Sequence, residues 1–257
     1  RHAIAIVGTR RPSHYGRATA ERLAYGLCQA GLSVVSGLAL GIDTSAHEGA
    51  LKARGRTLAV LGSGADRIYP ARNSELAERI AVQGAVLSEF PLGRAPDRTT
   101  FPMRNRIVSG LCLGVIVVEA GLSSGAMITA RCAAEQGGAV FAVPGRIDYH
   151  ASRGPHALIR DGARLVESTD DVLDELELLL PAAVRTGGRA TRKVELSESE
   201  QRIVAVLGAG ERDVDDLIRE TSLPPSEVSG LLIGLEMKKM VRMLPGRMVE
   251  AFTAPED

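Results

Sequence analysis

The sequence predicts an α/β protein: a parallel sheet with helices on both faces, followed by a small C-terminal winged-helix domain. Two observations carry the larger part. Short apolar runs end repeatedly in glycine or a small polar residue, and stretches with helical spacing of apolar residues fill the intervals between them. That alternation is what a parallel sheet wrapped by helices requires. The third observation lies beyond a stretch with few large apolar groups, where three short helical patterns precede two strand-like runs around Pro245-Gly246. That order is the winged-helix variant of helix-turn-helix.

Taken in order, strands are expected at about 3–7, 33–36, 57–61, 85–88, 114–118, 139–143 and 164–166. The helix from Arg17 to Ala30 puts Ala20, Leu23, Ala24, Leu27 and Cys28 on one face, as a helix covering a sheet does. Asp43, Ser74 and Ser124 precede or open helical patterns and read as N-caps. The helix Asp170 to Leu180 is both acidic and leucine-rich. Residues 181–195, with Gly187-Gly188 at their centre, read as a flexible linker between a domain at 1–180 and one at 196–257. In the second domain the expected helices are Ser197–Leu207, Asp213–Thr221 and Ser226–Lys239, and the hairpin strands are Met240–Leu244 and Arg247–Phe252.

Composition narrows the class. Of 257 residues 45% are hydrophobic and 24% charged, which excludes a disordered, collagenous or coiled-coil chain. No apolar run approaches the roughly 18 residues of a membrane span, and the first strand carries no cleavage signal, so a cytoplasmic protein without a membrane partner is expected. Three widely spaced cysteines (Cys28, Cys112 and Cys132) make neither a disulfide framework nor a zinc ribbon, and the five histidines show no metal-ligand spacing. The zero net charge conceals polarity. Residues 1–160 hold 19 basic and 11 acidic side chains, a balance of +8, whereas residues 161–180 stand at −6, 181–195 at +3 and 196–257 at −5.

The first strand runs into Gly8-Thr9-Arg10-Arg11-Pro12-Ser13 before a helix, a loop suited to an anion: glycine permits close approach, the helix start offers free N–H groups, and two arginines add charge. It is not G-x-G-x-x-G, and the second strand ends Ser36-Gly37 without an acid to hold a ribose, so a dinucleotide cofactor is disfavoured. The fifth strand leads through Glu119 to Ser124-Gly125, adding small polar residues at the carboxyl edge where parallel sheets bind ligands. Arg94, Arg98, Arg104 and Arg106 with Phe101 and Asn105 make a cationic rim with one aromatic that could stack a base. Arg104 and Arg106 diverge on a helix, so one should face the cleft while the other pairs with an acid. Glu89 and Glu119 have no nucleophile, metal site or base beside them and are expected to hold the arginines. His47 reads as a core or supporting histidine rather than a base.

These residues carry a resemblance. Val7-Gly8-Thr9-Arg10, Ser36-Gly37-Leu38-Ala39-Leu40-Gly41-Ile42-Asp43 with His47, Ile68-Tyr69-Pro70, Ser88-Glu89, Phe101-Pro102-Met103-Arg104-Asn105-Arg106, Val118-Glu119-Ala120 with Ser124-Gly125 and Thr129, and Val143-Pro144-Gly145 together resemble the DNA-processing protein A family (DprA, also called Smf). The match spans roughly residues 1–175, and the tail looks like the winged-helix domain that many members carry. The resemblance implies an extended Rossmann-like domain that binds incoming single-stranded DNA through a basic pocket, shields it from nucleases, helps load the RecA recombinase during natural transformation, and dimerises through its C-terminal part. By motif, Gly8, Thr9 and Arg10 would take phosphate, Ser36 and Gly37 would lie at the second strand end, and Phe101 with Arg104 to Arg106 would form the rim. Many members place a basic residue where Leu40 stands, and the family's small N-terminal helical domain has no counterpart in these residues.

Two other classes compete. A phosphoribohydrolase-like enzyme of related fold would need P-G-G-x-G-T-x-x-E where this chain has Glu119-Ala120-Gly121-Leu122-Ser123-Ser124-Gly125. A duplex-reading regulator would need a basic recognition helix, and this tail is acidic. The expectation is therefore a DNA-binding protein that is not an enzyme, with no cofactor and no metal. A homodimer is expected through residues 155–180, where Leu173, Leu176, Leu179 and Leu180 exceed what one covering helix needs.

Overall fold

The computed structural model describes residues 2–179, 197–207, 211–221, 223–237, 241–244 and 246–251. The proposed linker 181–195, Leu180, Lys238, Lys239 and Pro245 lie outside them, as do the side chains of Leu178 and Leu179. The chain forms two compact units, 1–189 and 190–257.

In the first unit, β1 (Ala3–Val7), β2 (Ser33–Ser36), β3 (Thr57–Val60), β4 (Ala85–Leu87), β5 (Gly114–Val117), β6 (Ala139–Ala142) and β7 (Arg164–Leu165) form a seven-stranded sheet in the order β4-β3-β2-β1-β5-β6-β7. Every pairing is parallel. β1 is buried along its whole length because both faces are covered, which is why it reads as an unbroken apolar run. Ile4 and Ile6 pack with Ala20, Leu23 and Leu27 of α1 (His14–Gln29), while Ala3, Ala5 and Val7 pack with Val108 of α4 (Thr100–Gly110) and Ala126 and Ala130 of α5 (Gly125–Glu135). Alanines at that second contact let two helices approach the sheet closely, and each fully buried Ile or Leu contributes about 2 kcal/mol.

The sheet reverses its order at β1. Its neighbours are β2 and β5, so the loops after β1 and β5 part to opposite sides and leave a crevice at the carboxyl edge. Loops and helix starts flank that crevice, and their details differ from the sequence expectation in four places. α1 begins at His14 rather than Arg17, capped by Ser13, whose side chain accepts from Gly16 N at 3.0 Å. Asp43 is not a cap: α2 (Ile42–Lys52) is capped by Gly41, and Asp43 is buried in its first turn. Ser74 opens α3 (Ser74–Gln83) behind Asn73, whereas Ser124 does stand at the N-cap of α5.

The fourth difference concerns the expected dimer face. In α7 (Thr169–Leu179), which follows α6 (Arg153–Arg160), Leu176 is buried in the same core as Ile4 and Leu23, and Leu173 packs against that core. The core shared by α1 and the sheet takes Leu176, so that leucine is not a free surface, and Leu173 is half-buried at its edge.

The second unit consists of α8 (Glu198–Leu207), β8 (Glu211–Asp213), α9 (Val214–Thr221), α10 (Pro225–Met237), β9 (Val241–Leu244) and β10 (Met248–Ala251). Its sheet is antiparallel in the order β8-β10-β9, and its core gathers Ile203, Leu217, Leu232, Leu235 and Val249. This is the winged-helix fold. β8 was not expected from the sequence, because Glu211-Arg212-Asp213 has no apolar alternation and becomes a strand only by pairing with Met248–Glu250.

Candidate nucleic-acid interface

At the switch point, Thr9 N donates to Glu119 O at 2.6 Å and Ile42 N to Thr9 O at 3.2 Å, so the loop after β1 is stitched to the ends of β5 and α2. Only glycine fits at position 8: a Cβ there would stand 2.6 Å from Ile42 Cγ1 and 2.8 Å from Glu119 O. The stitched loop walls a cleft of about 380 Å³. The cleft brings together Gly8, Thr9, Arg10, Arg11, Gly37, Phe101, Arg104, Asn105, Ser124 and Gly125, ten of the residues expected to bind DNA.

Arg104 forms the floor of the cleft rather than its rim. It is 6% exposed, its Nη1 donates to Val60 O, and its Nε reaches Asn105 Oδ1 at 3.3 Å. The guanidinium occupies the space a side chain at position 37 would need, since a Cβ on Gly37 would lie 2.2 Å from Arg104 Nη1. Asp43, also in the cleft lining, accepts from Gly37 N at 3.1 Å and Ala39 N at 3.3 Å. Burial raises the Asp43 carboxyl, against which the Arg104 charge and these two N–H groups pull it down. Burial lowers Arg104, Asp43 opposes that, and the charge of Arg10 adds to it. Asp43 could be found in the sequence only as a helix-start acid, because its role depends on a guanidinium some sixty residues away.

Arg10 and Arg11 are exposed and make no ion pair among the described residues. The Arg10 guanidinium lies 5.1 Å from the centroid of the Phe101 ring, which in turn meets Tyr69 at 5.9 Å. Opposite them is the N-terminus of α5. Ser124 stands there with its Oγ buried and without a hydrogen-bond partner, and Asn105 Nδ2 ties the first turn by donating to Gly125 O at 3.1 Å. The positive end of a helix and two free arginines therefore converge on one space, an arrangement that favours a phosphate.

Three expected contacts fall elsewhere. Ser36 is fully buried and its hydroxyl donates to Ile6 O at 2.6 Å, which makes it a clasp between β2 and β1. Arg106 does not line the cleft and pairs with Glu89; the spacing foretold that it and Arg104 diverge, not which of them would face the cleft. Arg98 is exposed but does not line the cleft. Glu119 holds no arginine: its carboxylate accepts from Ser13 N at 2.9 Å and from Ser13 Oγ. His47 is fully buried, with Nδ1 2.7 Å from Thr57 Oγ1, and burial followed by the charge of Arg104 lowers it to about 3. It is a neutral core group, although its Nε2 has no partner. Among the described residues no group of three or more His, Cys, Asp or Glu could hold a metal ion, and no helix is long and apolar enough to cross a membrane.

The family model for DNA recombination-mediator protein A matches residues 1–177, and that for the DprA winged helix domain matches residues 188–247. Protein Smf of Escherichia coli is 40% identical over 247 residues, covering 95% of this chain and 66% of that protein. The DNA processing protein DprA of Streptococcus pneumoniae is 48% identical over 174 residues, covering 68% and 61%. The chain thus spans somewhat under two thirds of the length of these relatives. A solved structure of DNA processing protein A from Helicobacter pylori, described for its single-stranded DNA binding mode, superposes with a TM-score of 0.64 at 33% identity over 70% of this chain and 82% of that one. The molybdenum cofactor binding protein of Rippkaea orientalis, at 16% identity and a TM-score of 0.51, shares the fold alone. The chain belongs to the DNA recombination-mediator protein A family.

Proposed function

We propose that this chain is a recombination mediator that binds single-stranded DNA, with phosphates of the strand seated in the cleft between the β1 loop and the start of α5. The observation that carries the reading is that Arg10, Arg11, the start of α5 and the buried Arg104 line one cleft. Phosphate contacts of this kind hold any sequence, and Phe101, half-buried at the edge, offers a face on which a base can stack. The relative from Helicobacter pylori supports the choice of a single strand. The proposed contact set is Gly8, Thr9, Arg10, Arg11, Gly37, Phe101, Asn105, Ser124 and Gly125, with Arg104 setting the potential from beneath.

A binding protein rather than a glycosidic hydrolase fits the acids. Glu119 is turned to Ser13, Glu89 is tied to Arg106, and Asp43 is engaged by backbone N–H groups, so none is poised as a base toward a bound nucleotide. Loading of RecA, a homodimer and a cytoplasmic location belong to the same proposal and rest on family membership; with Leu173 and Leu176 drawn into the core, the leucine pattern no longer supports the dimer. Anisotropy titration of labelled oligo-dT at several salt concentrations tests the reading. Binding that weakens steeply with salt supports it; binding indifferent to salt, or release of free base from a nucleotide, overturns it.

A further inference from the structure

A second cavity, of about 710 Å³, borders the same loop two residues beyond Arg11. Its walls are Ser13, His14 and Tyr15 at the start of α1 and the segment from Pro144 to Tyr149 after β6, and Glu119 lines it from within. The segment is pinned from two sides. Tyr15 Oη donates to Pro144 O at 2.9 Å, and His156 Nε2 lies 3.0 Å from Gly145 O. Two aromatic rings, the exposed Tyr15 and the half-buried Tyr149, therefore face a preformed space within the usual range for a small-molecule site.

The acid is the informative group. Glu119 is 3% exposed, and its carboxylate has no cationic partner among the described residues. Each of its oxygens accepts one bond from Ser13, which leaves each with a second acceptor direction. Gly16 lets the first turn of α1 pack directly against it, since a Cβ there would stand 2.5 Å from Glu119 Cδ. Its charge also reaches the opposite wall: burial and then Glu119 raise the Tyr149 hydroxyl. A buried carboxylate with two acceptor directions to spare calls for a ligand that presents two adjacent N–H donors on a flat, stackable body.

We propose that this cavity receives a guanine base of the bound strand, with N1–H and the N2 amino group donating to the Glu119 carboxylate and the ring stacked on Tyr15 or Tyr149. The inference rests on the single-stranded DNA reading and adds a base preference to it. Among DNA bases only guanine sets two donors side by side on its Watson–Crick edge. Adenine and cytosine pair one amine with a ring acceptor that would repel the carboxylate, and thymine flanks its one N–H with carbonyls. A strand with phosphates against Arg10 and Arg11 has this opening within three residues of loop, about 10 Å at most.

The test uses the full chain and three oligonucleotides of equal length: all-dT, dT with isolated dG at spaced positions, and the same with deoxyinosine, which keeps N1–H and lacks the amino group. The dG oligonucleotide should bind about fivefold or more tighter than all-dT, and inosine should lose most of that gain. In Glu119→Gln, where one acceptor becomes a donor, the dG to dT ratio should fall close to one, and Tyr149→Ala should reduce it as well. Equal binding of dG and dT by the unaltered protein, or a ratio that survives both substitutions, overturns the guanine site and leaves strand binding intact. Failure to bind any of the three overturns the reading beneath it. Should Glu119→Gln not fold, the inosine comparison on the unaltered protein decides.

Discussion

The cleft of the α/β unit and the hairpin of the winged-helix unit both carry arginine, and the arginines have different partners in the two places. In the cleft, Arg10 leans on Phe101 and makes no ion pair among the described residues, and Arg104 is held by a carbonyl. In the winged-helix unit the cations face acids of their own domain. Arg247 lies 3.0 Å from Asp215, Arg242 3.8 Å from Glu250, Arg219 2.9 Å from Asp216 and Arg212 3.0 Å from Glu220. Such exposed pairs add little stability, about 0–1 kcal/mol each, but they cancel the charge that a phosphate would meet. A fold known for gripping duplex DNA here sets these arginines against its own acids, while the cleft at the sheet edge leaves Arg10 and Arg11 without an ion pair among the described residues. Ligand class follows the local charge inventory and not the fold name.

The largest expected effect lies at Arg104. Arg104→Ala would leave Val60 O without its donor and Asp43 without its nearest cation, and unfolding in denaturant should show a loss of about 3 kcal/mol alongside weaker binding of every oligonucleotide. An unchanged midpoint would show that Arg104 belongs to the ligand and not to the scaffold.

Next in size is the acid sensitivity of the α/β unit. His47 is neutral in the fold, lowered to about 3, whereas the unfolded chain binds a proton near the ordinary 6.5. The unfolded state therefore takes up more protons as pH falls below about 6.5, and stability should drop by about 2 kcal/mol between pH 7 and pH 5. His47→Gln should flatten that slope in denaturant titrations at the two pH values.

Arg10→Ala should weaken all oligonucleotides about tenfold and reduce the slope of log affinity against log salt by about one unit, without base selectivity. Freeing the tail's cations gives the smallest effect. Asp215→Asn together with Glu250→Gln releases Arg247 and Arg242, and duplex affinity should rise by a factor of about three in electrophoretic mobility assays. No rise would count against charge pairing as the reason the winged helix is proposed to leave DNA to the cleft.

The seven parallel strands were legible to within a residue because strands buried in a parallel sheet are apolar runs and their loops turn on glycine. Ser124 was legible as a cap for the same local reason. What could not be read depended on distant chain. Asp43 looked like a cap because its true partners, Gly37 N and the charge of Arg104, come together only when β2, α2 and α4 meet. Glu119 was assigned to arginines because nothing in sequence shows Ser13 folding back onto it across 106 residues. Leu176 fits a core stripe and an interface stripe equally well by spacing, and only the packing of α7 against the sheet decides between them. The divergence of Arg104 and Arg106 followed from helix geometry, but which of them faces the cleft did not.

The α/β unit, with its own cores on both faces of the sheet, is the part proposed to hold the strand, and the winged helix is not. Salt-dependent titration of oligo-dT against the whole chain and against residues 1–180 compares the two most directly. Affinities within about threefold, under roughly 0.7 kcal/mol, and equal salt slopes are expected. A loss of about a hundredfold on removing residues 181–257, with circular dichroism showing the α/β unit folded, would contradict the proposal.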